Sequence, residues 1–282
     1  MGNKNNRPWV VIRGAGDLAT GVIVRLHRCG FRLLVTECRE PSAIRRAASL
    51  CSAVWEGTAT VEGVTARRIA DLSQAEAVSA AGEIPLLVDE DGSCARKLNA
   101  ACVVDAILAK RNLGTSRDMA PITVGMGPGF TAGDDVDAVV ETMRGHHLGK
   151  VIREGAAIPN TGVPGNIGGF AKERVMHAPA TGTMTFVKDE AGRTIDIGAI
   201  VQKGQTIAMV GETPLSASLD GVLRGLIREG FPVTKGLKIA DIDPRLEQAA
   251  CCDTVSDKAR AIAGGVLEAM LSLAEEKQIT LL

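Results

Sequence analysis

The chain has 282 residues, with 32 Lys+Arg against 33 Asp+Glu and a formal net charge of -1. That balance lacks the basic surplus of a nucleic-acid binder, and 2% aromatics with no Tyr argue weakly against a binder that stacks single strands on aromatic platforms. At 45% hydrophobic and 23% charged the composition is that of an ordinary globular chain, long enough for about two domains with aliphatic cores.

The first elements are legible in order. Trp9–Arg13 is an apolar, β-branched run, followed by the turn Gly14-Ala15-Gly16-Asp17. Apolar positions Val22, Val24, Leu26 and Cys29 then repeat at helical spacing up to Gly30. A second run, Phe31–Thr36, ends at Glu37. Strand, glycine turn, helix, strand is a βαβ unit. Further apolar runs at Ala53–Trp55, Ile84–Val88 and Cys102–Leu108, with a helix-like Leu72–Ala81, predict a Rossmann-like parallel sheet over residues 1–118. Residues 119–175 are a glycine-rich connecting region holding a strand at Ile122–Gly127 and loops around Gly127-Pro128-Gly129, Asp134-Asp135 and Pro159–Gly165. A loop-rich stretch of that length between apolar strands points to function.

Residues 176–245 carry an internal repeat. Gly198-x-x-Val201-x-Lys203-Gly204-x-x-Ile207-Ala208 recurs as Gly230-x-x-Val233-x-Lys235-Gly236-x-x-Ile239-Ala240, and Ala178…Gly182 recurs as Ala217…Gly221. Two β-rich copies with glycine turns predict a barrel-sandwich (biotinyl/lipoyl-like) module of two interlocked halves. Its joining turn, Gly211–Ser216, has no Lys to modify, which argues for a docking or lid role over a swinging arm. Residues 246–282 form a C-terminal helix, capped by Ser256. The fold class is thus α/β: a Rossmann-like sheet domain, a glycine-rich region, a barrel-sandwich module and a closing helix.

No run reaches the ~18 apolar residues of a membrane helix, and Met1–Trp9 lacks a signal core. Seven Cys occur without a CxxC spacing, as scattered thiols in a reducing compartment would. A cytoplasmic protein with neither membrane nor nucleic-acid partners is expected.

Several constellations can carry chemistry. Gly14 and Gly16 sit where a dinucleotide's pyrophosphate would meet a helix N-terminus, and Glu37 where a ribose hydroxyl would be accepted. Asp17 in the same turn repels a diphosphate unless it accepts N–H groups or binds a metal. Arg45 and Arg46, opening a helix after Ser42, suit a phosphate or carboxylate. Lys110 and Asn112 follow a strand end, where open α/β sheets hold ligands. Gly127 and Gly129 form a second candidate ligand loop. Asp134 and Asp135 read as helix-opening caps or as ligands for a hard cation. Glu141, Arg144 and His146 gather acid, cation and imidazole within a few residues, the groups of proton transfer.

Taken together, Val11–Gly21, Val104–Thr115, Gly127–Phe130 with Ala132-Gly133, Glu141–His146, Asn160–Gly165, Asp241–Arg245 and Ser256–Arg260 resemble YqeB-type accessory proteins of selenium-dependent molybdenum hydroxylase systems. The resemblance spans about residues 9–270. It implies a maturation factor that works beside a molybdenum hydroxylase and cofactor-handling proteins; joined to the glycine turn, the expectation is a nucleotide or molybdopterin cytosine dinucleotide as ligand. It carries no catalytic residues across, so the site residues rest on the readings above. A homo-oligomer is compatible with it. The residues leave two alternatives open, an NAD-dependent oxidoreductase and a non-catalytic docking scaffold, and they do not decide whether any bond is made or broken.

Overall fold

In a computed structural model the described residues are 7–162, 165 and 168–282. The expectations for Met1–Asn6, Val163 and Pro164 lie outside them. The chain divides into two units. The first takes Met1–Pro41, Ser49–Thr161 and Val255–Leu282, the second Ser42–Ala48 and Gly162–Thr254. Sequence patterning predicts boundaries at 118, 175 and 245; here most of the glycine-rich region belongs to the first unit, because its strands Ile122–Met126, Ala138–Val140 and Val151–Ile152 extend the same sheet.

The first unit is built on strands β1 (Trp9–Arg13), β2 (Arg32–Glu37), β3 (Thr58–Val61), β4 (Val64–Ile69), β5 (Ile84–Val88), β6 (Cys102–Asp105), β7 (Ile122–Met126), β8 (Thr131–Ala132), β9 (Ala138–Val140), β10 (Val151–Ile152) and β11 (Gly155–Ala156). The large sheet runs β10-β9-β7-β6-β1-β2-β5-β4-β3. From β9 to β4 every pairing is parallel, and the antiparallel β10 and β3 form the edges. Every residue of β1, β6 and β7 is buried, as expected of strands covered on both faces. The chain leaves β1 toward β2 and returns on the other side at β6, so strand order reverses between β1 and β6.

Helix α1 (Asp17–Arg28) follows β1, and Gly30 at φ 90° lets the chain turn back into β2. Three short helices, α2 (Ala53–Glu56), α3 (Ala75–Ala80) and α4 (Cys94–Lys97), lie between the strands. The Ala53–Trp55 run, expected among the strand-like segments, is the helical α2; the strands there are Thr58–Val61 and Val64–Ile69. Ala53 and Val54 are buried within one helical turn, a pattern a three-residue run cannot distinguish from a strand. Helix α5 (Asp257–Glu276) starts where Ser256 Oγ accepts the Ala259 N–H at 3.2 Å. It buries Ile262, Val266, Met270 and Leu273 and lies on α1, where a Cβ on Gly21 would come within 2.7 Å of the Ala259 Cβ. No described helix is long and apolar enough to cross a membrane.

The second unit has two four-stranded antiparallel sheets made of β12 (Val175–His177), β13 (Gly182–Phe186), β14 (Ile200–Val201), β15 (Thr206–Val210), β16 (Thr213–Ser216), β17 (Gly221–Leu226), β18 (Pro232–Val233) and β19 (Lys238–Asp243). The repeat is visible in the pairings. Each copy's short strand crosses to the other copy: β14 pairs with β17, and β18 with β13. Matching glycines donate equivalent hydrogen bonds, Gly198 N–H to Leu223 and Gly230 N–H to Met184, both at 2.8 Å. The expected joining turn is shorter than Gly211–Ser216, because Thr213–Ser216 pairs with β15 and leaves Gly211-Glu212 as the turn. A helix opening at Ser42–Arg46 is also absent. Only a single 3-10 turn, Arg46–Ala48, forms, and the Leu226 N–H donates to Ile44 at 2.8 Å.

In the same unit Asp243 is fully buried between Arg224 and Arg245. Burial alone would push its carboxyl up, but the hydrogen bonds from Arg245 and Arg224 outweigh that and hold it at about 2. An acid held below its unfolded value stabilises the fold above about pH 4 and loses that contribution as pH falls toward 2. Asp243→Asn should therefore cost about 2 kcal/mol at neutral pH and progressively less below pH 4. Urea titrations at pH 7 and pH 3 check this, and equal losses at both would contradict it.

Candidate functional site at the carboxyl edge of the large sheet

The carboxyl ends of β1 and β6 flank the point where strand order reverses, the position at which open α/β sheets hold ligands. Arg13 ends β1 and Asp105 ends β6, paired in register and both 1% exposed. Arg13 Nη1 lies 3.6 Å from Asp105 Oδ2, and the Thr115 hydroxyl donates to that oxygen at 2.6 Å. Arg13 also donates to Thr115 Oγ1 and, at 2.9 Å, to the Glu90 carbonyl. Asp105 Oδ1 accepts the Ile107 N–H at 3.0 Å. Burial pushes the Asp105 carboxyl up, against the pull of Thr115, Ile107 and Arg13. This network fastens segment 106–115 over the strand ends.

That segment accounts for Gly14 and Gly129. Gly14, at φ 97°, lets its backbone approach Ala106 and Ile107, where a Cβ would sit at 3.0 Å. On the other side Gly129, at φ 113°, admits the backbone of Arg111, 2.7 Å from where a Cβ would be. Gly127, at φ 77°, would drive a Cβ to 2.6 Å from Thr142 Oγ1. Leu108 and Lys110, with φ of 60° and 63°, take left-handed conformations that are costly for side chains of their size. Asn112 closes the segment: its Oδ1 accepts the N–H groups of Gly114 and Thr115, and its Nδ2 donates to the Thr115 carbonyl at 2.7 Å. Lys110 is exposed.

Of the first turn, Gly16 alone faces open space: a Cβ added there would meet nothing within 4 Å. It caps α1 without a side-chain hydrogen bond, beside Asp17 in the first turn. Glu37 sits half-buried at the end of β2, and each of its oxygens accepts a backbone N–H at 2.8 Å, from Ala15 and from Cys38. It therefore braces the glycine turn, and a ribose hydroxyl would have to share those oxygens. Burial, then Glu37, pushes the neighbouring Cys38 thiol up to about 12. Cys51 is raised further, again chiefly by burial. Neither thiol supplies a nucleophile near neutrality.

The remaining sequence-derived site residues do not converge. Both Glu141 oxygens accept backbone N–H groups, from Met143 at 2.7 Å and Ile158 at 2.8 Å. Arg144 pairs with Asp257 at 3.1 Å, and exposed His146 packs edge-on against His147 with ring centroids 5.2 Å apart. No helix opens at Asp134 and Asp135, contrary to the cap reading. They lie in a turn between β8 and β9, where Asp135 accepts the Thr131 N–H at 2.8 Å and Asp134 is exposed. The β-branched Val136, Val139 and Val140 that follow favour a strand. Among the described residues no group of three His, Cys, Asp or Glu side chains is placed to hold a metal. Arg45 belongs to the second unit.

A groove of about 370 Å³ opens at the carboxyl ends of β2, β5 and β4. Arg39, Trp55, Arg68 and Val88 are among its lining residues. Arg68 Nη1 is held by the Val54 carbonyl at 2.7 Å, while Arg39 is exposed two residues beyond Glu37. Sequence reasoning missed this groove and gave no role to Arg13; it noticed Asp105 beside Lys110 and Asn112 at a strand end but did not count it among the contacts. A signal existed for Arg13 and Asp105, since each is a charge closing an otherwise apolar strand.

No protein-family model matches the chain. It is 50% identical over 264 residues to a protein of Escherichia coli (strain K12) that bears the name uncharacterized protein YqeB. That alignment covers 94% of this chain and 47% of the relative, so the chain spans about half the length of the curated relative it matches. Among solved structures, a product-bound structure of the ectoine utilization protein EutE (DoeB) from Ruegeria pomeroyi aligns over 84% of this chain and 85% of the other at 12% identity. Its TM-score of 0.23 is too low for any argument about fold.

Proposed function

We propose that the first unit is a Rossmann-like nucleotide-binding module, that the second is a barrel-sandwich-like docking module, and that the chain serves as an accessory factor in maturing a molybdenum hydroxylase. The observation that carries the nucleotide reading is the groove beside β2. It combines an indole ring with two guanidiniums at the carboxyl edge of a parallel sheet. An indole offers a face for a base, and guanidiniums recognise phosphate. The open turn at Gly16, with the N–H groups of α1 behind it, suits the remaining phosphates. The link to molybdenum hydroxylases rests on the motif resemblance, with which the 50% identity to YqeB agrees in name. The ligand class is a nucleotide or a molybdopterin cytosine dinucleotide.

Calorimetric titration with CTP, ATP, NAD and molybdopterin cytosine dinucleotide, each with and without magnesium, tests the reading. Micromolar binding of CTP or the pterin dinucleotide, weakened at least about tenfold by Arg39→Gln, is expected from loss of one charge-assisted contact. Tight binding of NAD alone would move the assignment to hydride chemistry. Absence of binding by all four would leave the docking scaffold, which the structural use of Gly14 and Glu37 favours.

A further inference from the structure

The second unit holds a buried guanidinium cluster that the nucleotide reading does not use. Asp241 and Asp243, two residues apart on β19, share one face of the strand. Arg174 Nη2 donates to both oxygens of Asp241, at 3.2 and 3.3 Å. Arg224 Nη1 donates to Asp243 at 2.9 Å, and Arg245 binds the same carboxylate through Nε and Nη2 at 2.9 and 2.8 Å. Three guanidiniums thus close on two carboxylates, and Arg45 and Lys238 add their positive fields at Asp241.

Two features distinguish this cluster from a closed ion-pair network. The Nε groups of Arg174 and Arg224 are buried and have no hydrogen-bond partner, although their side chains are only 7% and 11% exposed. Buried donors left unmade are costly. Arg224 is also the extra residue of a β-bulge: β17 pairs Leu223 with Ile242 and Gly225 with Asp241, so Arg224 has no partner position on β19. Bulges of this kind re-aim a side chain. The rim of the cluster meets solvent at Arg245, which is 40% exposed.

We infer that this cluster is a phosphate-binding site, in which Arg174, Arg224 and Arg245, with Arg45 beside them, hold a free phosphate or the phosphate of a monoester. A phosphate dianion would accept from the two idle Nε groups and balance the surplus charge. Its oxygens are the acceptors that guanidinium donors match best.

Thermal denaturation of the full chain against inorganic phosphate tests the site, with sodium chloride of matched ionic strength as control. A saturable rise in melting temperature is expected with phosphate and not with chloride. Arg245→Gln and Arg45→Gln, at less buried positions, should each raise the phosphate concentration for half-saturation at least about tenfold, with circular dichroism unchanged. Glycerol phosphate in a parallel titration separates a monoester site, which it saturates, from a site for the free ion, which it does not. The Trp55→Leu chain should respond to phosphate like the parent, so failure here is distinguishable from failure of the nucleotide reading. No saturable response by the parent chain, or equal responses by the arginine variants, would overturn the inference.

Discussion

Asp105→Asn should lower the stability of the chain by about 3 kcal/mol, because it leaves Arg13 as a buried charge without its counter-ion. The pair is 1% exposed on both sides. The loss falls at the lower end of the usual range for a broken buried pair, since Arg13 keeps its bonds to Glu90 and Thr115. Segment 106–115 loses its anchor at the same time, because Asp105 also holds Thr115 and the Ile107 N–H. Urea unfolding at pH 7 reads the effect as a lower midpoint. Replacing both members, Arg13→Met with Asp105→Leu, should recover most of it, as well-packed apolar pairs replace buried ion pairs at little cost. A single variant within about 0.5 kcal/mol of the parent, the scatter of ordinary surface changes, would contradict the assigned role.

The second large effect separates two adjacent glycines of α5. A Cβ on Gly265 would overlap the carbonyl oxygen of Gly149 and press on Val140, whereas one on Gly264 would meet nothing within 4 Å. Gly265→Ala should therefore cost about 2–3 kcal/mol through overpacking. Gly264→Ala should gain up to about 1 kcal/mol, because alanine is the better helix former. Thermal unfolding of the two variants checks the contrast. Similar effects from both would mean that α5 does not seat on the Gly149 turn.

Local signals carried much of this architecture. The βαβ opening, the Gly30 stop, the Ser256 cap and the doubled Gly-x-x-Val pattern all depend on residues near one another in the chain, and each has its counterpart in an observed element or pairing. The site was less legible. Arg13, Asp105 and Thr115 meet only because parallel strand order brings β1 beside β6, and nothing in the sequence near Arg13 announces Thr115. Glycine-rich stretches were ambiguous in another way. Gly14 and Gly129 have the freedom that a phosphate loop needs, yet each admits the backbone of segment 106–115. Glu141 read as an acid beside an imidazole, but its two oxygens close loops of the main chain. Short polar clusters have this property generally: spacing reveals which groups are near, while burial and topology decide what they bind.

The central claim, a nucleotide in the groove beside β2, is tested most directly by the emission of Trp55. The chain has two Trp, and Trp9 lies 6% exposed in the core, so a Trp9→Phe chain reports from the groove alone. Titration with CTP or molybdopterin cytosine dinucleotide should change that emission saturably, at the concentrations that calorimetry gives, and Arg39→Gln should shift the curve at least about tenfold. Binding by calorimetry with Trp55 emission unchanged would put the ligand elsewhere and contradict the account.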